Sequence, residues 1–397
     1  MKALRPEFEA ALHQALDQFE TPFYAYDLPA IQQRTCQLRD LFAGGKLLYA
    51  LKANPRLRLL GALRALGLGA EAVSVGEVGR AYAAGFPPSE VLLSGPVKTP
   101  ATLRHLQETG LPILAADSVA DLERIADQCP GAAVLVRINP DLPVSTHGHL
   151  ATGQGESQFG ILEEDLRRAL QSARGLRVLG LQLHAGSLLG TADLLRAYQR
   201  AGEIAERHGP FRVLDLGGGF GPEADLERVA TSALKLTEEL GAELWVEPGR
   251  SVTAAFGVLV TRCWGIKRTR RRYLLLDAGM TELIRPMLYG AEHPVLPLYS
   301  GGELEHFDLA GPACERGDVL AREALLPTPR VGDALAILEV GAYGASMSSS
   351  YLDHPRPLEL GFDGQGFEIW RRPEEFSALW AGEAQATAPA AQDSQRR

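Results

Sequence analysis

Between residues 46 and 250, short apolar runs alternate with longer stretches in which apolar residues recur every three or four positions. The short runs are KLLYALK (46–52), GAEAVSV (69–75), EVLLSG (90–95), PILAADS (112–118), AAVLVRIN (132–139), VLGLQLHAG (178–186), VLDLGGG (213–219) and ELWVEPG (243–249). Near-continuous apolar character over such lengths predicts buried strands. Between them, LRLLGALRALG, EVGRAYAAG, TPATLRHLQETG, SVADLERIADQ, LEEDLRRALQSA, ADLLRAYQRAGEIAERHG and DLERVATSALKLTEELG carry the helical period. Strands alternating with helices predict parallel βαβ units, and eight is the count that closes a (β/α)8 barrel. A doubly wound open sheet is the alternative, but it seldom needs eight such regular units.

Past about residue 255 the pattern turns strand-like, in FGVLVTRCWGI, RYLLLDAG, DALAILEVGAYG and PLELGFDGQGFEIW. A second, mainly β domain is expected there, and the early TPFYAYD (21–27) could pair with it before the chain enters the barrel. The expected division is therefore an N-terminal segment 1–27, a barrel 28–254, a β domain 255–380 and a tail 381–397. The Ala/Gln-rich tail has no apolar period and is expected to be disordered.

Composition narrows the function classes rather than the fold. In 397 residues, 46% are hydrophobic and 22% charged, and the net charge of −9 is spread without long single-sign runs. Nothing in that distribution suggests a nucleic-acid or membrane surface. Cys36, Cys129, Cys263 and Cys314 lie far apart without a C-x-x-C pair, so no zinc or other metal site and no disulfide framework is expected. A reducing cytoplasm fits them best. No apolar run approaches the ~20 residues that span a bilayer, and a soluble, unexported protein is expected.

Residues at the C-terminal ends of barrel strands face one shared mouth. Here those ends carry Lys52, Glu71 with Ser74, Ser94, Asp117, Arg137, His184 with Ser187, Gly217-Gly218-Gly219, and Glu247 with Arg250. Packing alone explains such a concentration of polar groups poorly. Lys52, taken singly, could snorkel to solvent, or act as an amine nucleophile that forms a Schiff base with an aldehyde. The triglycine could be a bare tight turn, or a phosphate cradle of main-chain N–H groups; its place after the seventh of eight strands favours the cradle. Glu247 could face a cofactor nitrogen or pair with Arg250, and His184 could stack on a flat ring or be a core histidine. Together, a Schiff-base lysine, a phosphate cradle, a ring-stacking imidazole and an acid for a pyridine nitrogen describe one ligand, pyridoxal 5′-phosphate.

These strings, in this order, resemble the barrel-type (fold type III) pyridoxal-phosphate amino acid decarboxylases, and within them the diaminopimelate decarboxylases. The likeness runs from FYAYD to HPRPLEL, through YALKAN, LHAGS, LDLGGGFG, EPGR, RPMLYGAEH, GPACERGD and GAYGASMSSSY. The resemblance implies that Lys52 carries the cofactor, that His184 stacks on it and that Glu247 pairs with its ring nitrogen. It further implies that Ser187, Gly218, Gly219, Gly249, Arg250 and Tyr343 hold the rest of the cofactor. Arg250, Arg285, Tyr289, Glu315 and Tyr343 would line the substrate, and Cys314 would protonate the intermediate from the neighbouring subunit of a homodimer with shared active sites. The plain alternatives are a small buried Cys314, an Arg285–Glu315 salt bridge and a core Tyr343.

The residues also bear on the substrate. A guanidinium and phenol in RPMLY with a carboxylate in ACE could bind a distal carboxylate together with a distal amine, which suits meso-2,6-diaminopimelate. Two departures point toward a relative with another substrate, such as a carboxylated polyamine or a carrier-tethered glutamate. Gln158 stands where the resembled family usually has lysine, and YLDHPRP (351–357) differs ahead of its arginine-proline pair. A cofactor-homeostasis protein should lack a second domain, and an alanine-type racemase gives GPACERGD no role.

Overall fold

The computed structural model describes residues 4–143 and 153–383. The chain opens with helix α1 (Pro6–Gln18), strand β1 (Phe23–Asp27) and helix α2 (Leu28–Leu41), then enters a closed parallel barrel. Its strands are β2 (Lys46–Ala50), β3 (Gly69–Ala72), β4 (Val91–Leu93), β5 (Ile113–Ala116), β6 (Ala133–Ile138), β7 (Arg177–Leu183), β8 (Val213–Asp215) and β9 (Glu243–Val246). Each of the eight sequence-predicted strands is present, and β2 pairs with β9 to close the ring. The intervening helices are α3 (Leu57–Ala65), α4 (Val75–Ala83), α5 (Pro100–Thr109), α6 (Val119–Gln128), α7 (Glu163–Ser172), α8 (Thr191–His208) and α9 (Leu226–Leu240).

Local sequence chemistry sets where these helices begin. Ser74, Thr99, Ser118 and Asp225 each accept a hydrogen bond from a main-chain N–H in the first turn of α4, α5, α6 and α9. Each such cap contributes about 1 kcal/mol. The strands end sooner than the apolar runs suggest. β2 stops at Ala50, so Lys52 is not the last residue of a strand but sits in a single 3-10 turn, Leu51–Ala53. β8 stops at Asp215, which leaves Gly217–Gly219 in the loop beyond it.

Alternation along the strands divides the barrel interior into two layers. Leu48, Leu92, Ile113, Ala115, Ala133, Leu135, Leu179, Val213 and Trp245 fill the lower one. Nearer the mouth, Glu71, Asp117, Arg137, Gln182, Asp215 and Glu247 are all buried polar groups, four of them two residues beyond Ala115, Leu135, Val213 and Trp245 along the chain. The barrel is thus apolar at its base and ionic beneath its mouth.

After a short helix α10 (Arg250–Thr253), the chain builds a nine-stranded mixed sheet. It comprises β10 (Gly257–Arg268), β11 (Arg272–Leu276), β12 (Val295–Pro297), β13 (Leu304–Ala310), β14 (Val319–Pro327), β15 (Ala334–Ile337), β16 (Leu358–Phe362) and β17 (Phe367–Arg371), with helix α11 (Arg285–Tyr289) between β11 and β12. β1 joins this sheet between β10 and β16, the pairing that the TPFYAYD run suggested. Helix α1 covers the sheet through Phe8 and Leu12, which pack with Phe23, Val258 and Leu360. Of the expected tail, residues 384–397 lie outside the described residues, as do 144–152, which take in the start of STHGHLATGQGESQFGI. No helix among the described residues is long and apolar enough to cross a membrane.

Candidate active site

One pocket at the barrel mouth is lined by Lys52, His184, Ser187, Gly219, Glu247, Gly249, Arg250 and Tyr343, with Ala50, Leu188, Phe220 and Ser251 completing the wall. Lys52 Nζ lies 2.8 Å from Glu71 Oε2, and Ser94 donates to the other Glu71 oxygen. Burial opposes the charge on Lys52, but Glu71, then Tyr343 and Glu247, outweigh it and hold the ammonium above its ordinary range. A lysine so placed is preorganised in an anionic mouth rather than directed to solvent.

The second domain reaches over to fix the turn that carries Lys52. Tyr343 N–H donates to Ala53 O at 2.8 Å, and Asn54 Nδ2 donates to Gly341 O at 3.1 Å. Tyr343 itself adopts a left-handed backbone, φ 58°, unusual for a bulky residue. Its ring lies under the Arg250 guanidinium, 4.7 Å from the ring centroid.

At the opposite wall, Glu247 is buried and accepts a 2.5 Å hydrogen bond from Gln182. Its carboxyl is pushed well above the usual range by burial and by the neighbouring Asp215 and Glu71. The pairing of Glu247 with Arg250 is therefore not formed: Arg250 stacks on Tyr343 instead. His184 is driven far below the ordinary imidazole range by burial, with Lys52 and Arg137 adding to the effect, and is a neutral ring.

Gly217 and Gly219 have positive φ, 66° and 81°. A side chain at Gly217, Gly218 or Gly219 would run into the main-chain oxygens of Leu183, Glu247 and Gly186 respectively. This close-packed turn leaves its main chain bare toward the pocket, as a phosphate site needs. A buried carboxyl without a cation partner, a bare glycine turn, a neutral flat imidazole and a reachable lysine fit pyridoxal 5′-phosphate.

Arg285, on α11, is 7% exposed and donates to His293 Nε2 at 3.1 Å, while His293 Nδ1 donates to Leu338 O at 2.9 Å. Burial and the nearby Arg250 lower the Arg285 pKa to about 10. Neither Arg250 nor Arg285 has an ion-pair carboxylate among the described residues. Tyr289, half-buried at the end of α11, is close enough to act electrostatically on both. The alternative of an Arg285–Glu315 salt bridge fails, because Glu315 accepts from Tyr351 Oη at 2.8 Å.

Cys314 and Glu315 do not line the Lys52 pocket of their own chain. Both are exposed on the loop 311–318 between β13 and β14, so the alternative of a small buried Cys314 also fails. Asp318 pins that loop, accepting N–H groups of Met280 at 2.6 Å and Ala313 at 2.7 Å.

The profile described as "Pyridoxal-dependent decarboxylase, pyridoxal binding domain" matches residues 28–254. A diaminopimelate decarboxylase of Deinococcus radiodurans is 45% identical over 376 residues, covering 94% of this chain and 98% of the relative. The chain belongs to the diaminopimelate decarboxylase family. A second diaminopimelate decarboxylase, from Helicobacter pylori, is 34% identical over 91% of this chain and 95% of its own length. Among solved structures, a Helicobacter pylori diaminopimelate decarboxylase complexed with L-lysine superposes with a TM-score of 0.90 at 31% identity, covering 94% of this chain and 99% of that one.

Against this diaminopimelate decarboxylase background, sequence reasoning missed several pocket partners. Glu71 was noted as a strand-end acid, yet its bond to Lys52 depends on β2 and β3 being neighbours. Gln182 and Asp215, which flank Glu247, and His293, which holds Arg285, were not singled out. Their signal was available: a carboxylate inside VLDL and an amide inside LQL are polar residues where a buried strand has no use for them without a partner.

Proposed function

We propose that this protein decarboxylates meso-2,6-diaminopimelate to L-lysine and carbon dioxide with pyridoxal 5′-phosphate. The carrying observation is the half-buried Arg250 in the Lys52 pocket with the buried Arg285 near it, neither held in an ion pair by a carboxylate among the described residues. Two neighbouring guanidiniums free of carboxylate ion pairs, one of them buried, suit a ligand with more than one anionic group.

Bound at this site, pyridoxal 5′-phosphate supplies an electron sink, since its protonated ring takes up the electron pair left on the α-carbon as carbon dioxide departs. Lys52 would provide the amine that tethers the cofactor aldehyde, and its contact with Glu71 keeps that amine at the pocket. Glu247 keeps the nitrogen end of the pocket anionic, and His184 offers its neutral face to the ring. Gly218, Gly219, Ser187, Gly249, Arg250 and Tyr343 hold the phosphate side. Arg285 grips the distal carboxylate, with Tyr289 and Arg250 beside it.

Glu315 and Cys314 act across a two-fold dimer: exposed on loop 311–318, they enter the mouth of the partner chain, where Glu315 meets the distal ammonium and the Cys314 thiol protonates the α-carbon. The working unit is a cytoplasmic homodimer in which residues 28–254 bind the cofactor, and 255–380 with 1–27 form the second domain. Carbon dioxide release from a panel of diaminopimelate, lysine, ornithine, a carboxylated polyamine and a carrier-tethered glutamate tests the reading. Diaminopimelate should exceed every other substrate. Faster turnover of any of the others would replace the substrate, and none at all would remove the activity.

A further inference from the structure

The charges inside the barrel do not balance. Its buried upper layer holds the carboxyls of Glu71, Asp117, Asp215 and Glu247. Lys52 pairs with Glu71 at 2.8 Å and Arg137 with Asp117 at 2.9 Å. Of the other nearby cations, buried Lys98 is taken up by Asp121 at 2.9 Å, and Lys46 lies over the Trp245 ring at the barrel base. Asp215 and Glu247 are left without a cation in the layer, and a cofactor ring nitrogen at Glu247 would bring only one.

Geometry places these two carboxyls side by side. Asp215 and Gln182 are opposite each other in the β7–β8 register, and Gln182 donates to Glu247. Glu247 N–H donates to Gly217 O at 2.8 Å, and Asp215 Oδ1 accepts from Gly217 N–H at 2.9 Å. Asp215 Oδ2 is fully buried and has no hydrogen-bond partner within the protein. Two adjacent ionised carboxylates in a low-dielectric interior repel strongly, and such pairs retain one proton between them. Both groups are accordingly raised, each mainly by burial.

We propose that Asp215 is a positioning residue that shares one proton with Glu247, so that the pair offers the cofactor nitrogen a single negative charge, while Asp215 Oδ1 holds Gly217 at the head of the phosphate turn. The inference rests on the proposed placement of the cofactor nitrogen at Glu247. One side chain thereby ties the nitrogen end of the cofactor site to its phosphate end. Asparagine can replace this function, because its amide donates to Glu247 and its carbonyl accepts from Gly217 without titrating. Alanine cannot.

The test is infrared spectroscopy of the holoprotein at neutral pH, paired with cofactor titration of the resolved protein. The wild type should show the carbonyl stretch of a buried protonated carboxylic acid, and Asp215→Asn should lose it. Asp215→Asn should bind pyridoxal 5′-phosphate within about threefold of wild type, while Asp215→Ala should bind roughly ten- to a hundredfold more weakly. A wild type without the band, a band that survives Asp215→Asn, or an asparagine variant as weak as alanine would each overturn the shared proton. Failure of the cofactor placement itself reads differently: then Glu247→Gln leaves the bound cofactor's absorption spectrum unchanged, whatever the infrared result.

Discussion

Arg285→Ala is the perturbation that most directly probes the substrate. The guanidinium is 7% exposed, spends one nitrogen on His293 at 3.1 Å, and keeps a buried Nε without a partner. A distal carboxylate would therefore meet a desolvated cation with free donors, next to a second cation in Arg250. Truncating one partner of such a pair removes about 2–5 kcal/mol, or roughly 30- to several-thousand-fold in kcat/KM for diaminopimelate. Arg285→Lys should recover only part of this, because an ammonium cannot reproduce the planar fork. Lysine lacks the distal carboxylate, so its already slow turnover should not fall further. The assay is steady-state carbon dioxide release with both substrates, alongside the cofactor spectrum, which should be unchanged. Intact diaminopimelate turnover in Arg285→Ala, or an equal loss for lysine, would refute the assignment of Arg285 to the distal carboxylate.

Borohydride treatment should fix the cofactor covalently to the peptide carrying Lys52, and Lys52→Ala should show no such adduct by mass spectrometry. Mixing inactive Lys52→Ala with inactive Cys314→Ala chains should restore activity at about a quarter of statistically assembled sites, given a closed two-fold dimer; no recovery after verified exchange would mean that each chain builds its own site. His293, buried beside Arg285, has its pKa lowered to about 4 by burial. Its folded-state pKa lies below the unfolded value near 6.5, so the unfolded chain binds the proton first and stability falls as pH drops from about 6.5 to 4, by up to about 3 kcal/mol. Denaturant unfolding of His293→Gln should show a shallower acid slope; an unaltered slope would exclude His293 as its source. Arg56 lies 3.2 Å from Glu359, which is 2% exposed and also accepts from Tyr26 at 2.7 Å. Arg56→Ala should lower stability by about 3–5 kcal/mol through the stranded carboxylate, and a loss below about 1 kcal/mol in urea would show that Glu359 is protonated.

Periodicity along the chain was enough to specify the eight barrel strands, the helices between them and the change to a β domain near residue 255. That information is local: burying a strand on both sides demands an apolar run, and burying one helix face demands a three-to-four repeat. Helices α1 and α2 carried the same repeat but stand outside the strand–helix alternation, while β12 is only three residues long and charged residues interrupt the apolar ones in β13 and β14. The residue types at the strand ends were also legible, because a strand that must be buried has no local reason to end in Lys, Glu or Gly-Gly-Gly. Their partners were not. Glu71 meets Lys52 because β2 and β3 stand in one register, and Asp215 and Glu247 act on each other because adjacent strands β8 and β9 curve into a closed barrel. Arg285 faces Arg250 and rests on His293 because the second domain folds back over the barrel mouth, with Tyr343 and Gly341 bonded to the turn around Lys52. Which carboxyl must keep a proton is decided by how many cations share one buried layer, a quantity that exists only once strands far apart in sequence have come together.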